Sequence, residues 1–132
     1  MWSTPVTVAS IVDACNTIMQ RHGPGQTEHF YSRMLQCWLY EQRIPFLTES
    51  ECFTLSEGGT PVLIGRIDIE IDHRIVLELK IGPKIADKHT RQILKYTATR
   101  PEVTDAAVVC FRDDGAVEAR HLVFGIQSRF FQ

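Results

Sequence analysis

The chain has 132 residues, of which 44% are hydrophobic and 23% charged, and its formal net charge at pH 7 is −2. This composition is that of an ordinary globular protein, and no apolar run approaches the roughly 20 residues that a membrane-spanning helix needs. The small net charge gives no global attraction to nucleic acid. Any such binding must therefore come from a local basic patch.

Length and cysteine spacing narrow the class of protein further. We expect a single domain over residues 1–132, with residues 124–132 as a C-terminal tail. The start of the chain, Met1–Pro5, lacks a basic region followed by an apolar one, which predicts an intracellular protein, cytoplasmic or nuclear. Its four cysteines form no C-x-x-C pair, so we expect free, largely buried thiols at Cys15, Cys37, Cys52 and Cys110.

Two amphipathic helices are predicted at the start of the chain. Apolar residues recur at helical spacing from Val8 to Met19, in a helix that begins near Ser3–Pro5 and ends at residues 23–25, Gly-Pro-Gly. A second helix is predicted from about Thr27 to Arg43, and its apolar stripe contains Tyr31, Leu35 and Trp38.

Glu28 lies one turn before Tyr31 on that stripe. A carboxylate that faces the core must be paired, protonated or bound to a cation. The alternative is an acid that stabilises the first turn of the helix through its dipole and has no further role. Position alone leaves both interpretations open.

Three strands are predicted next, and two of them meet in the stretch Arg66 to Lys80. The first strand covers Phe46 to Leu55 and is followed by a turn at residues 57–59. In the stretch itself, two strands alternate apolar and mostly charged residues: Ile67, Ile69 and Ile71 in one, Ile75, Leu77 and Leu79 in the other.

The register of this hairpin follows from the alternation, because directly opposed residues point to the same side of an antiparallel sheet. A two-residue turn would oppose apolar and charged residues. A three-residue loop, Asp72-His73-Arg74, avoids this and predicts the pairs Ile71–Ile75, Ile69–Leu77 and Ile67–Leu79. On the charged face it places Asp68 beside Glu78 and Arg66 beside Lys80.

The rest of the chain completes an α/β pattern. A third helix is predicted from Ile85 to Thr97, followed by a buried strand at Ala106–Phe111, a turn, and an edge strand at Val117–Val123. The continuous apolar run of the buried strand predicts a sheet that is covered on both faces. We therefore expect a mixed β-sheet flanked by helices on both faces, in the order α-α-β-β-β-α-β-β.

Asp68, Glu78 and Lys80 form the pattern D-x9-E-x-K. Two carboxylates on neighbouring strands are able to hold Mg²⁺, which keeps several waters, one of them a potential nucleophile. A lysine on the same face has the position to orient that water or to stabilise charge on a phosphate. The alternative is a hairpin whose polar face simply meets water. A charged cluster on a covered sheet is costly, however, which favours a functional site.

The order of elements and the D-x9-E-x-K hairpin resemble the PD-(D/E)XK nuclease superfamily, with its restriction-endonuclease-like fold. Residues 25–31 read G-x-x-E-x-x-Y, which is similar to the GxxExxY family within that superfamily. Residues 89–96 look like the H-x-x-Q-x-x-x-Y helix of the same family. One departure is that Ile67, rather than proline, precedes Asp68.

This resemblance implies roles for particular residues. Glu28 would join Asp68 and Glu78 at a Mg²⁺ or Mn²⁺ ion, Lys80 would assist the attacking water, and Gln92 would bond near the metal or the Lys80 amine. If so, a basic surface could follow a phosphate backbone through Arg66, Lys84, Lys88, Arg91 and Lys95. His89 is expected to cap or pack rather than to bind the metal, and Tyr31 and Tyr96 to be core aromatics whose hydroxyls reach a polar site.

The resulting hypothesis is a metal-dependent nuclease that acts on nucleic acid, with DNA favoured over RNA. A second hypothesis is a nuclease-fold module that binds nucleic acid or a protein partner without cleaving it. A third is a homodimer built through Trp2 and the phenylalanine-rich tail.

Overall fold

The computed structural model of the protein describes residues 5–124. Within them the chain forms three helices and five strands in the order expected from the sequence: α1 (Val8–His22), α2 (Glu28–Glu41), β1 (Phe46–Leu55), β2 (Pro61–Ile71), β3 (Ile75–Gly82), α3 (Asp87–Thr97), β4 (Asp105–Arg112) and β5 (Val117–Val123). The bounds of β1 and β5 are those predicted, and the helices are shorter by one to several residues at their ends.

The strands form one mixed sheet in the order β1-β2-β3-β4-β5. Strands β3 and β4 are parallel, and the other three neighbouring pairs are antiparallel. Two parallel strands need a crossover connection, and α3 supplies it. As predicted, β4 is buried along nearly its whole length and β5 lies at an edge of the sheet.

Helices cover both faces of the sheet, which confirms the predicted α/β architecture. On one face, α1 and α2 pack on β3 and β4 through a core that includes Ile11, Leu35, Leu77 and Val109. On the other face, α3 packs on the sheet through a second core. The buried residues Val76, Ile93, Tyr96, Val108 and Cys110 belong to this second core.

The first helix owes its bounds to caps at both ends. At its start, the Ser10 amide donates to Thr7 Oγ1 at 3.1 Å, and the Thr7 amide donates to Ser10 Oγ at 3.0 Å. At its end Gly23 has φ +74°, a left-handed conformation that glycine adopts readily, and its N–H donates to the Met19 carbonyl. Helix α1 therefore begins later than predicted, because Thr7 supplies the N-terminal cap.

The hairpin between β2 and β3 turns on the predicted three-residue loop. Its first two residues, Asp72 and His73, have φ of +53° and +59°. The ladder pairs Ile71 with Ile75 and Ile69 with Leu77, as the alternation predicts.

Beyond that point the predicted register is wrong. The β2–β3 ladder ends at Ile69, so the expected Ile67–Leu79 and Arg66–Lys80 pairs do not form. Ile67 packs instead in the core on the α3 side, and Arg66 forms an ion pair with Glu51 of β1 at 3.6 Å. The physical reason lies in two carboxylates that occupy the gap between the strands, described below.

The four cysteines are free, as predicted; Cys15, Cys52 and Cys110 are buried and Cys37 is exposed. No helix within residues 5–124 is long and apolar enough to cross a membrane. Phe124 packs against the core on the α3 side, and its N–H donates to the Thr104 carbonyl at 2.8 Å. The remaining tail and Trp2, on which the dimer hypothesis rests, lie outside the described residues.

Candidate active site

Strands β2 and β3 separate where the two predicted acids lie, and the acids bridge the gap. The Asp68 amide donates to Glu78 Oε1 at 3.3 Å, and the Leu79 amide donates to Asp68 Oδ2 at 2.9 Å. Side-chain carboxylates thus take the place of main-chain carbonyls as acceptors for two backbone N–H groups. This exchange brings Asp68 and Glu78 together by their side chains, as predicted, although the strands no longer pair there.

Glu78 is the most strongly perturbed carboxyl group of the site. Burial, and after it the charge and the side-chain hydrogen bond of Asp68, raise the pKa of Glu78 to about 8, although the Asp68 backbone N–H acts in the opposite direction. Lys80 opposes this shift, with its Nζ 4.0 Å from Glu78 Oε2. The Glu78 side chain is only 4% exposed, so the like charge of Asp68 acts on it with little screening.

Glu28 approaches the pair from the start of α2. Thr27 caps this helix by accepting the Phe30 N–H at 3.0 Å, which fixes Glu28 in the first helical position. The side chains of Glu28 and Asp68 line one cavity of about 310 Å³. Burial raises the pKa of Glu28, Lys80 lowers it and Asp68 raises it further, so all three groups are close enough to interact electrostatically.

The same cavity contains residues that the sequence interpretation missed. Ser32 and Gln36 follow Glu28 at intervals of four on α2, and the Gln36 amide donates to Ser32 Oγ at 3.1 Å. This helical spacing was a usable signal in the sequence. Glu49 of β1 also lines the cavity, with φ +56°, which is unusual for a residue other than glycine. No sequence signal marks that conformation.

A second cavity, of about 560 Å³, opens on the α3 side of the separated strands. Four of its lining residues are the cations Lys80, Lys88, Arg91 and Lys95, and no acidic side chain lines it. Two residues predicted for the basic surface do not line this cavity: Lys84, which is exposed, and Arg66, which pairs with Glu51. Three of the five predicted cations are thus brought together beside Lys80.

Gln92 also lines the second cavity, and Tyr96 holds its side chain. Gln92 Nε2 donates to the Tyr96 hydroxyl at 2.9 Å. A Cβ atom at Gly65 would lie 2.0 Å from that hydroxyl oxygen, so only glycine leaves room for Tyr96 here. Gln92 is thereby placed in the same cavity as Lys80.

The other residues singled out in the sequence have structural contacts. His89 Nδ1 accepts the Ala86 N–H at 3.2 Å, so this histidine caps α3, as expected. Burial, followed by the charges of Lys80 and Lys88, lowers the pKa of His89. Tyr31 is buried, and its hydroxyl donates to the Gly23 carbonyl at 2.7 Å rather than to the acidic cavity.

Within residues 5–124, no three or more His, Cys, Asp or Glu side chains already surround a common metal position. The donor chemistry nevertheless fits a hard divalent ion. Asp68 and Glu78 each direct one oxygen to a backbone N–H, which leaves Asp68 Oδ1 and Glu78 Oε2 without a backbone partner. Mg²⁺ commonly binds through one or two carboxylates and retains waters for its other positions.

Comparisons with known proteins identify the superfamily and the fold. The profile of the PD-(D/E)XK nuclease superfamily matches residues 6–122. The chain belongs to this superfamily. Members of the superfamily are usually nucleases.

A solved structure shares the fold. The crystal structure of SSO0001 superposes with a TM-score of 0.57 at 20% sequence identity. The match covers 91% of this chain and 58% of the SSO0001 chain, so the chain described here spans well under two thirds of that protein. No curated protein sequence gives a significant match.

Proposed function

We propose that the protein is a metal-dependent nuclease that hydrolyses phosphodiester bonds in nucleic acid, with DNA favoured over RNA. The observation that carries this proposal is the interlocked Asp68–Glu78 pair with Lys80 beside it, at the point where β2 and β3 separate. The similarity of residues 25–31 to the G-x-x-E-x-x-Y motif supports placing the chain in the GxxExxY family of that superfamily.

Asp68 and Glu78 would hold a Mg²⁺ or Mn²⁺ ion, with Glu28 as a further ligand from α2. When bound, such an ion activates a water molecule and stabilises negative charge on the phosphate. The raised pKa of Glu78 supports this assignment, because burial and the charge of Asp68 disfavour the ionised form of Glu78 until a cation compensates it.

Lys80 has a different part in the same site. Its ammonium lies beside Glu78 and also lines the cation-rich cavity, so it connects the acidic pair to the basic surface. There it would orient the attacking water and stabilise charge on the phosphate. Lys88, Arg91 and Lys95 would hold flanking phosphates, and Gln92 would contact the substrate or Lys80.

A cleavage assay tests the proposal. Purified protein is incubated with single- and double-stranded DNA and RNA, in Mg²⁺, Mn²⁺ or EDTA, beside Asp68→Asn and Lys80→Ala. We expect cleavage with a divalent ion, none in EDTA, and a loss of at least about a hundredfold in either variant, because each removes charge from the reacting centre. Asp13→Asn, an exposed acid on α1, serves as the matched control and should cleave normally. Cleavage that survives both Asp68→Asn and Lys80→Ala would indicate a contaminant.

Glu28 is tested separately, because an acid that only stabilises the helix dipole and an acid that binds the metal predict different results. Glu28→Gln keeps the shape of the side chain and removes its charge. If Glu28 is a ligand, the variant needs a higher Mn²⁺ concentration for half-maximal cleavage, whereas Glu41→Gln at the other end of α2 does not. If both variants follow the wild-type curve, Glu28 acts only through the helix dipole.

A nuclease fold that binds nucleic acid without cleaving it is the second candidate. It is favoured by one observation: Lys80, Lys88, Arg91 and Lys95 line one cavity with no acidic side chain, an arrangement that is able to hold phosphates without a metal ion. This candidate predicts binding to nucleic acid with no cleavage under any metal condition, and with a salt dependence that Lys88→Ala and Lys95→Ala reduce.

A further inference from the structure

The cavity that Glu28 and Asp68 line also contains an arginine. It is a cleft of about 310 Å³ between α2 and the sheet, and the residues of α2 that line it are Glu28, His29, Ser32, Arg33 and Gln36. Arg33 follows His29 by about one helical turn, next to the stripe that carries Glu28 and Ser32. A positive charge therefore lies in the same cleft as two carboxylates of the proposed metal site.

The acids of this cleft do not hold Arg33 in an ion pair. Three acids line the cleft, Glu28, Glu49 and Asp68, yet Arg33 is exposed and forms no ion pair with any side chain of residues 5–124. A guanidinium presents its N–H donors in a planar fork that matches the oxygens of a phosphate. Arg33 is thus available to an anion that enters the cleft.

Ser32 offers a second donor beside Arg33. Its Oγ accepts a hydrogen bond from Gln36 Nε2 at 3.1 Å, and its own O–H is able to donate to another group. Because Ser32 and Arg33 line the same cleft, a phosphate held by the guanidinium is within the region that the hydroxyl also lines.

The charge of the cleft makes phosphate binding there conditional. Three carboxylates outnumber the single guanidinium among the described lining residues, so the metal-free cleft repels an anion. A divalent ion on the carboxylates would offset this excess of negative charge. The cation-lined cavity on the α3 side has no acid among its lining residues and needs no such compensation.

We propose that Arg33 holds a substrate phosphate on the α2 side of the scissile bond, and that it does so only while the carboxylates bind a divalent ion. This proposal rests on the proposed function. Lys88, Arg91 and Lys95 would hold the same strand on the α3 side with or without the ion. Since the buried Glu78 lies between the two cavities, a strand held in both crosses the reacting centre.

Binding to nucleic acid with and without the ion tests this proposal. Every variant carries Lys80→Ala, which keeps the carboxylates and suppresses cleavage, and fluorescence anisotropy measures affinity for a labelled DNA single strand and its duplex. In Mn²⁺, Arg33→Ala should bind about tenfold more weakly, and its plot of log K against log salt concentration should be shallower by about 0.7 for the single strand and 0.9 for the duplex. Arg33→Lys, which keeps the charge, should retain most of this slope.

Two comparisons isolate the effect of Arg33. In EDTA, Arg33→Ala should bind as Arg21→Ala does, because Arg21 is an exposed arginine of α1 that lines neither cavity and its loss changes the net charge equally. Lys95→Ala, by contrast, should weaken binding in Mn²⁺ and in EDTA alike. Titration calorimetry without nucleic acid should show that Arg33→Ala does not lower the affinity for Mn²⁺, since removing a nearby cation cannot repel the ion.

Three results would overturn the proposal. One is an Arg33→Ala variant that loses as much affinity in EDTA as in Mn²⁺, and another is one that matches Arg21→Ala in both. A third is a lower affinity of Arg33→Ala for Mn²⁺, since Arg33 would then act on the ion rather than on a phosphate. In each case, metal-dependent cleavage by the wild type that Asp68→Asn abolishes would leave the proposed function standing. A loss that is confined to Mn²⁺, with no cleavage by the wild type, would instead support the Arg33 phosphate site and overturn the nuclease activity.

Discussion

The buried carboxyl of Glu78 predicts a specific dependence of stability on pH in the metal-free protein. Its pKa is 4.5 in an unperturbed chain and about 8 in the folded protein, because burial and Asp68 both disfavour the charged form. A carboxyl group whose pKa rises on folding stabilises the protein below the unfolded value, and that stabilisation is lost as the pH rises towards the folded value. The metal-free protein should therefore lose stability between about pH 4.5 and pH 8.

The size of the effect follows from proton linkage. While the folded protein holds one more proton than the unfolded chain, each pH unit lowers the free energy of unfolding by about 1.4 kcal/mol. Between pH 5 and pH 7 this amounts to about 2–3 kcal/mol for Glu78. Urea denaturation in EDTA at several pH values measures this slope.

Glu78→Gln provides the control, because glutamine has a similar shape and does not ionise. The slope of the wild type should exceed that of Glu78→Gln by about 1 kcal/mol per pH unit between pH 5 and pH 7. Adding Mn²⁺ or Mg²⁺ at pH 7 should stabilise the wild type, by about 3 kcal/mol at a hundredfold excess over the dissociation constant, and should stabilise the variant less. Equal slopes for the two proteins, or equal stabilisation by the ion, would refute the reasoning.

Two further substitutions test the packing that supports the site. Gly65→Ala should cost about 1–3 kcal/mol of unfolding free energy, because its Cβ would overlap the Tyr96 hydroxyl. Gly58→Ala should cost far less, because its Cβ would have open space. Urea denaturation compares the two variants, and equal costs would contradict the contact. Arg100→Ala should cost about 3–5 kcal/mol at neutral pH, because Arg100 Nη1 contacts Glu70 Oε1 at 2.5 Å and that carboxylate is only 7% exposed. Adding Glu70→Gln should recover part of this loss, and strictly additive effects of the two substitutions would argue against the pair.

The sequence was sufficient for the architecture because its patterns are local. The apolar spacing of α1 and the alternation in β2 and β3 depend only on neighbouring residues, and both gave elements that the structure contains. The three-residue loop after Ile71 also followed, since a two-residue turn would have opposed apolar and charged residues. The order of elements then restricted the fold to few topologies.

The strand pairing near the site could not be predicted from the alternation of apolar and charged residues. It depends on whether the ladder continues or the two facing carboxylates part the strands. Pairing Ile67 with Leu79 satisfies the pattern, but it leaves Asp68 and Glu78 facing each other on a covered sheet. In the structure the ladder stops at Ile69, and each of the two carboxylates accepts a backbone N–H group of the opposite strand. The left-handed conformation of Glu49, opposite this gap, lay equally beyond sequence patterns.

Because β2 and β3 separate, the hairpin between them presents side chains to two different cavities. In a regular ladder, Asp68 and Lys80 would share one face with Glu78 and Arg66. Once the strands part, Asp68 lines the cavity on the α2 side and Lys80 lines the cavity on the α3 side, with the buried Glu78 between them. The β2–β3 ladder stops there, and Glu78 is buried beside Asp68, which keeps Glu78 protonated at neutral pH in the metal-free protein. A divalent cation bound by Asp68 and Glu78 would favour the ionised form of Glu78, and we therefore expect catalysis at the point where β2 and β3 stop pairing.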